Sequence, residues 1–326
     1  MTITNPNDKY SYLRCRALYQ KAGTGESGLL LDDNNYQLLL RLIFIGGSFL
    51  DPWHTNHYCR EVCMVISFYR LVSVLLLFSC AFAQAHTPYL APTRFEPLNQ
   101  GWVTLDASFA EAFFVPEVVF DNSEFAVLDQ AGQWIKPTTI QRLKTRAVVE
   151  HQLIEKGTYR FSSGVRHGAV FRMYELDGER KGTRDPAEVL PKGAKLLDHF
   201  QSVTLAETYI TLGAPTKPAL AAYNKGLEVV AVTHPNDVYD GEVFRVQLLF
   251  DGKPLAAHEL QVFPANGREE KAVVTATTDA QGFAELTMPS AATYLLQVRY
   301  RHAAPKGAPA PQYSYTYTLA FAVNEQ

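Results

Sequence analysis

The sequence predicts an all-β protein: two β-sandwich domains, the second immunoglobulin-like or transthyretin-like, preceded by a signal peptide. Three observations predict it. Short runs rich in Val, Phe, Tyr and Thr recur from Trp102 onward, with Gly, Asp, Asn and Pro between them. From Gly226 on, about six or seven such runs fall within roughly 100 residues, the strand density of a small sandwich. Upstream, "MVISFYRLVSVLLLFSCAFAQA" has a single charge at Arg70, a short apolar stretch and small residues at its end. That is the pattern of an export signal, and the apolar stretch is shorter than the ~20 residues a membrane-spanning helix needs.

The segment 1–63 reads poorly as a domain. "KAGTGESG" and "DDNNYQ" are loop-like, and "LLLRLIFIGGSFL" is interrupted by Gly46 and Gly47. The reading is an extension upstream of a start at Met64; the rival is a genuine leader before an internal signal anchor. "WHTNHYCREVC" invites a zinc set of His54, His57, Cys59 and Cys63. Three residues separate the two Cys and no second Cys pair follows, so the spacing is a poor match.

The signal peptide is expected over 64–85. Cleavage after Ala85 makes His86 the first residue, and cleavage after Ala83 makes it the third. "LFSC" loosely resembles a lipobox, which would place a lipid on Cys80. All four cysteines precede His86, so the exported part has none, and its stability rests on its core rather than on disulfides.

The first domain is expected over 86–222. "GWVTLDASF" alternates Val103, Leu105, Ala107 and Phe109 against polar neighbours. "FAVLDQAGQWIKP" reads as a hairpin turning at Gln130–Gln133. "RAVVEHQLI", "GTYRFSS" and "GAVFRMYELDG" continue the series. The polar stretch from Asp177 to Ser202 reads as a functional loop. "AETYITLG" is one more strand, and "APTKPALAAYNKG" is the linker candidate. The second domain, 223–326, has turns at Asp251-Gly252 and at Asp279–Gly282. In "TYLLQVRY", Tyr294, Leu296, Val298 and Tyr300 share one face, as do Tyr313, Tyr315 and Tyr317 in "QYSYTYTLAF".

The net charge of −3 argues against nucleic acid as a partner. No Gly-rich phosphate loop, H-E-x-x-H or G-x-S-x-G occurs, and no catalytic residue stands out. Histidine is the commonest metal ligand. A freed amino terminus beside His86 can join its imidazole in holding Cu(II) or Ni(II), which favour N-rich tetragonal sites. His151, on the apolar face of "RAVVEHQLI", and His167, beside Gly168, are the candidate further ligands. The expected metal set is therefore His86, His151 and His167. His199 falls in the polar stretch, and His234, His258 and His302 are expected to be structural or exposed.

"AHTPYLAP", "KGLEVVAVTHPND", "GEVFRVQLLFDGKPLAAHELQVF" and "TTDAQGFAELTMPSAATYLLQVRY" together resemble one exported family. It is a domain family of unknown function often labelled as a nickel-uptake substrate-specific region. The resemblance covers nearly all of 86–326 and is most specific from Gly226 onward. "TDxxG" sandwiches also occur in carboxypeptidase-regulatory-like domains. The resemblance implies an exported or periplasmic protein that binds nickel, copper or cobalt and assists its uptake. Its partner would be a membrane transporter or an outer-membrane receptor. The label mentions a transmembrane region, but the sequence after His86 has no spanning apolar run, which argues against direct transport. The alternative is a structural or adhesive module binding a protein or glycan. A third, lesser reading is a copper-dependent oxidative enzyme built on an N-terminal histidine.

Overall fold

The computed structural model describes residues 86–97, 100–265, 267 and 271–326. The export signal, Cys80 and the His54/His57/Cys59/Cys63 set lie outside the described residues. Among those described, no helix is long and apolar enough to cross a membrane.

The described chain is a β-sandwich protein. Its strands are β1 (Thr87–Pro92), β2 (Trp102–Ala110), β3 (Val118–Val119), β4 (Ala126–Leu128), β5 (Trp134–Ile135), β6 (Thr139–Arg142) and β7 (Ala147–Gln152). Next come β8 (Gly157–Ser162), β9 (Arg166–Leu176), β10 (Glu179–Thr183), β11 (Lys195–Leu212) and β12 (Leu227–Ala231). The series ends with β13 (Val243–Phe250), β14 (Lys253–Pro254), β15 (Glu259–Pro264), β16 (Val274–Thr277), β17 (Phe283–Thr287), β18 (Ala292–Ala303) and β19 (Gln312–Val323). One 3₁₀ turn, Pro218–Leu220, lies between β11 and β12.

Three sheets form. A five-stranded sheet runs β1-β2-β7-β6, with β3 on β2. A ten-stranded sheet runs β16-β15-β18-β19-β11-β8-β4-β5, with β9 pairing β11 and β10. A four-stranded sheet holds β12, β13 and β14, with β17 on β13. The ten-stranded sheet is common to both sandwiches, and β11 shows how. Side chains alternate across a strand. Ala206 and Ile210 join Leu105, Val149 and Phe161 in the core under the five-stranded sheet. Leu205 and Tyr209 join Val229, Phe244, Leu296 and Tyr317 in the core under the four-stranded sheet. One strand thus feeds two cores from its two faces, and its parallel pairing with β19 joins the halves of the sheet.

The expected turns hold. Asp129 Oδ1 accepts from the backbone N–H of Ala131 and Gln133, and Asp279 Oδ1 does the same for Gln281 and Phe283. The polar stretch is corrected. Asp177–Ser202 is not a loop throughout: it holds β10, a connection over 184–194 and the first eight residues of β11. There β9, β10 and the start of β11 extend with partly or fully exposed side chains on both faces, Tyr174 and Thr183 excepted. Strands wet on both sides need no apolar alternation, so the sequence carries no period there.

Candidate metal centre

Thr87 anchors the start of β1. It is fully buried, and its Oγ1 accepts from Gln297 Nε2 at 2.9 Å and from Arg299 Nη2 at 3.3 Å. Thr318 Oγ1 donates to the carbonyl of Pro88 at 2.9 Å. These three bonds tie β1 to the ten-stranded sheet, and they fix where His86 leaves it. Thr87 is also the register partner of Ala110, the last residue of β2. His86 therefore meets the turn that follows β2.

That turn brings in two carboxylates. Phe113 is buried against Phe263, with ring centroids 5.1 Å apart, and Phe114 takes a positive φ of 63° as the chain reverses. The backbone N–H of Glu117 donates to Ser108 Oγ at 3.2 Å and to the carbonyl of Phe109 at 3.3 Å. Ser108 is itself buried, its Oγ 2.7 Å from the carbonyl oxygen of Thr145 and 2.9 Å from that of Val118. Glu117 is thus pinned back against β2. Its Oε1 accepts from the backbone N–H of Glu111 at 3.1 Å, and its Oε2 lies 3.0 Å from His86 Nε2. One ligand atom each from His86, Glu111 and Glu117 fall within 4.8 Å of one another. An imidazole nitrogen and two carboxylate oxygens, half-buried at a strand end, are donors that suit a borderline divalent ion.

The structure does not bring the three expected histidines together. His151 is opposite Val103 at the far end of β2 from Ala110, so seven strand residues, roughly 23 Å at ~3.3 Å each, separate it from the His86 end. His151 is a core residue: it is 9% exposed, its Nδ1 lies 3.1 Å from Thr138 Oγ1, and its ring stands edge-on to Phe161. Burial pushes its pKa below the ordinary histidine value. His167 is exposed on β9 with its ring against Tyr313 at 5.3 Å. Neither residue belongs to the His86 group. His234 is structural. Its Nδ1 accepts from the backbone N–H of Asn236, which leaves Nε2–H to donate to Thr158 Oγ1 at 2.9 Å. His258 lies with Nε2 2.7 Å from the carbonyl of Arg299.

Sequence reasoning did not select Glu111 and Glu117. The available signal was "EAFFVPE", two acids bracketing an apolar turn directly after a strand. Only the reversal over Phe113–Pro116 shows that the two acids face one point. Two surface depressions lie elsewhere, one near Gln100 and Leu153, another near Arg94 and Asn324.

No curated protein matches the chain. Among solved structures, the D0-D1 domain of Intimin is similar at 13% identity and a TM-score of 0.19, over 71% of this chain and 96% of that one. The Yersinia pseudotuberculosis adhesin InvE is similar at 11% identity and a TM-score of 0.20, over 71% and 58%. Titin domains A168-A170 follow at 9% identity and a TM-score of 0.17, over 72% and 66%. Residues 83–302 match a family described as a domain of unknown function, DUF4198, and this chain belongs to that family.

Proposed function

We propose that this is an exported protein that binds a divalent transition metal at His86, Glu111 and Glu117 and serves its acquisition. The observation that carries the reading is the convergence of those three ligand atoms at the start of β1. A bare ion pair needs one carboxylate beside the histidine. A second carboxylate in the same space costs Coulomb repulsion that a cation would relieve. The resemblance to a nickel-uptake family supports the choice of a late first-row metal. Export and uptake partners follow from the same resemblance and from the signal-like segment ahead of His86.

The geometry refines the chemistry of His86. A chelate with a free amino terminus uses Nδ1, the ring nitrogen nearer the backbone, whereas Nε2 is the nitrogen facing Glu117. The site proposed here uses Nε2 and the two carboxylates. Isothermal titration of the exported protein with Ni(II), Cu(II) and Co(II) tests it. One equivalent should bind, tightest for Cu(II) and weakest for Co(II), and Glu117→Gln should weaken it by at least about tenfold. No binding of any of the three ions, or unchanged affinity in Glu117→Gln, overturns the reading.

A further inference from the structure

β18 and β19 run on past the core they help to enclose. On the face turned to the four-stranded sheet, Tyr294, Leu296 and Val298 are buried, and Tyr300 and His302 continue the row. On β19, buried Tyr317 is preceded by Tyr315 and Tyr313 on the same face. The covering sheet stops short. β13 ends at Phe250, and Asp251 and Gly252, both at positive φ, turn the chain back. The Phe250 ring meets Tyr300 at 5.0 Å, His302 at 4.7 Å and Tyr315 at 5.3 Å. Tyr313 lies 5.9 Å from Tyr315 and takes His167 against it at 5.3 Å. The result is a continuous line of six rings, from Tyr300 to His167, at and beyond the edge of the covering sheet. His167 and His302 are exposed and the other four are half-buried.

The composition of this shelf selects its occupant. Three phenols and two imidazoles place neutral hydrogen-bonding tips beside apolar ring faces. None of the six carries a carboxylate, ammonium or guanidinium, so an anion finds no counter-charge among them, and the Asp251 carboxylate, which acts on Tyr315, repels one. A ligand with apolar C–H faces and many hydroxyls uses both features at once. We infer that the shelf binds a neutral oligosaccharide. This binding is independent of the metal centre, which lies on the opposite face of β18, where Thr87 meets Gln297 and Arg299.

Isothermal titration of the exported protein with cellohexaose, maltohexaose and chitohexaose tests the inference. At least one hexaose should bind. Tyr313→Ala should weaken that binding by about tenfold or more, while Tyr313→Phe, which keeps the ring, retains most of it. Ni(II) titration of Tyr313→Ala should match the wild type, which shows that the variant is folded and separates the two sites. Failure of all three hexaoses to bind overturns the inference, as does binding that Tyr313→Ala leaves unchanged. A wild-type dimer that Tyr313→Ala dissociates would also overturn it, because the shelf would then belong to a second copy.

Discussion

The Tyr317 hydroxyl donates to Glu207 Oε2 at 2.8 Å, with both side chains sealed from solvent. Tyr223 donates to the other oxygen of the same carboxylate. Arg160, 2% exposed, stands over the Tyr223 ring at 4.1 Å and donates through Nη2 to the carbonyl of Ala221 at 2.8 Å. Burial first, and the Glu207 charge second, hold the Tyr317 phenol well above its ordinary pKa, so it remains a donor. The cluster joins β8, β11, β19 and the segment before β12. The Glu207 charge acts on Arg160, so removing the cation leaves the buried carboxylate with the two phenols alone. Arg160→Met should therefore cost about 3–5 kcal/mol of unfolding free energy in urea. Adding Glu207→Gln should recover part of it, because the stranded charge is gone; a double variant no more stable than Arg160→Met would show that the charge is not the cause.

Two glycines separate strain from crowding. Gly282 has a φ of 77°, and an added Cβ would sit 2.6 Å from the carbonyl oxygen of Leu248. Gly178 has a φ of 78° with open space around it. Gly178→Ala should cost about 1 kcal/mol, the left-handed penalty alone. Gly282→Ala should cost clearly more, because backbone must also move. Equal losses in urea titrations would refute the distinction.

Stability should fall with acid through two histidines, the buried His151 and the half-buried His234. Burial lowers the pKa of both His151 and His234 in the folded protein. Below the unfolded value of about 6.5, the unfolded chain takes up protons that the folded chain does not. Their contribution is thus fully present above pH ~6.5 and declines as pH falls toward the folded values. The variant His151→Gln/His234→Gln should show a shallower decline of unfolding free energy below that pH. An identical slope would assign the acid sensitivity to other groups.

Metal affinity should depend on Glu117 and not on His151 or His167. His151→Gln and His167→Ala should leave Ni(II) affinity within about twofold, against the tenfold or greater loss for Glu117→Gln. Affinity should also fall with pH, as protons compete for the imidazole and the carboxylates. Loss of binding in His167→Ala would return that residue to the ligand set.

Limited proteolysis should cut the connection over 184–194 before any strand. Val189 there is 87% exposed, and the segment is tied by Arg172 Nη2 to the carbonyls of Asp185 and Glu188. Trypsin should cleave at Lys192, faster in Arg172→Ala. First cuts within 243–250 would place the weak point elsewhere.

The sequence by itself determined the all-β class, because a half-buried strand must alternate, and "GWVTLDASF", "TYLLQVRY" and "QYSYTYTLAF" do so. It also determined the Asp-x-x-Gly turns, whose hydrogen bonds are local. Where strands leave the core, as in Lys195–Ser202, both faces are wet and the period vanishes. The pairing of β11 with β19 joins residues more than a hundred positions apart, and no local pattern encodes such a contact. The candidate metal site divides in the same way. His86 was legible from its place after a segment that reads as an export signal. Glu111 and Glu117 became its partners only when Ser108 and the buried Phe113 folded the turn back onto β2, and His151 was removed by register: a strand's length lies between it and His86. Residue type and period are set by the chain's immediate neighbours, whereas the meeting of distant side chains is set by packing.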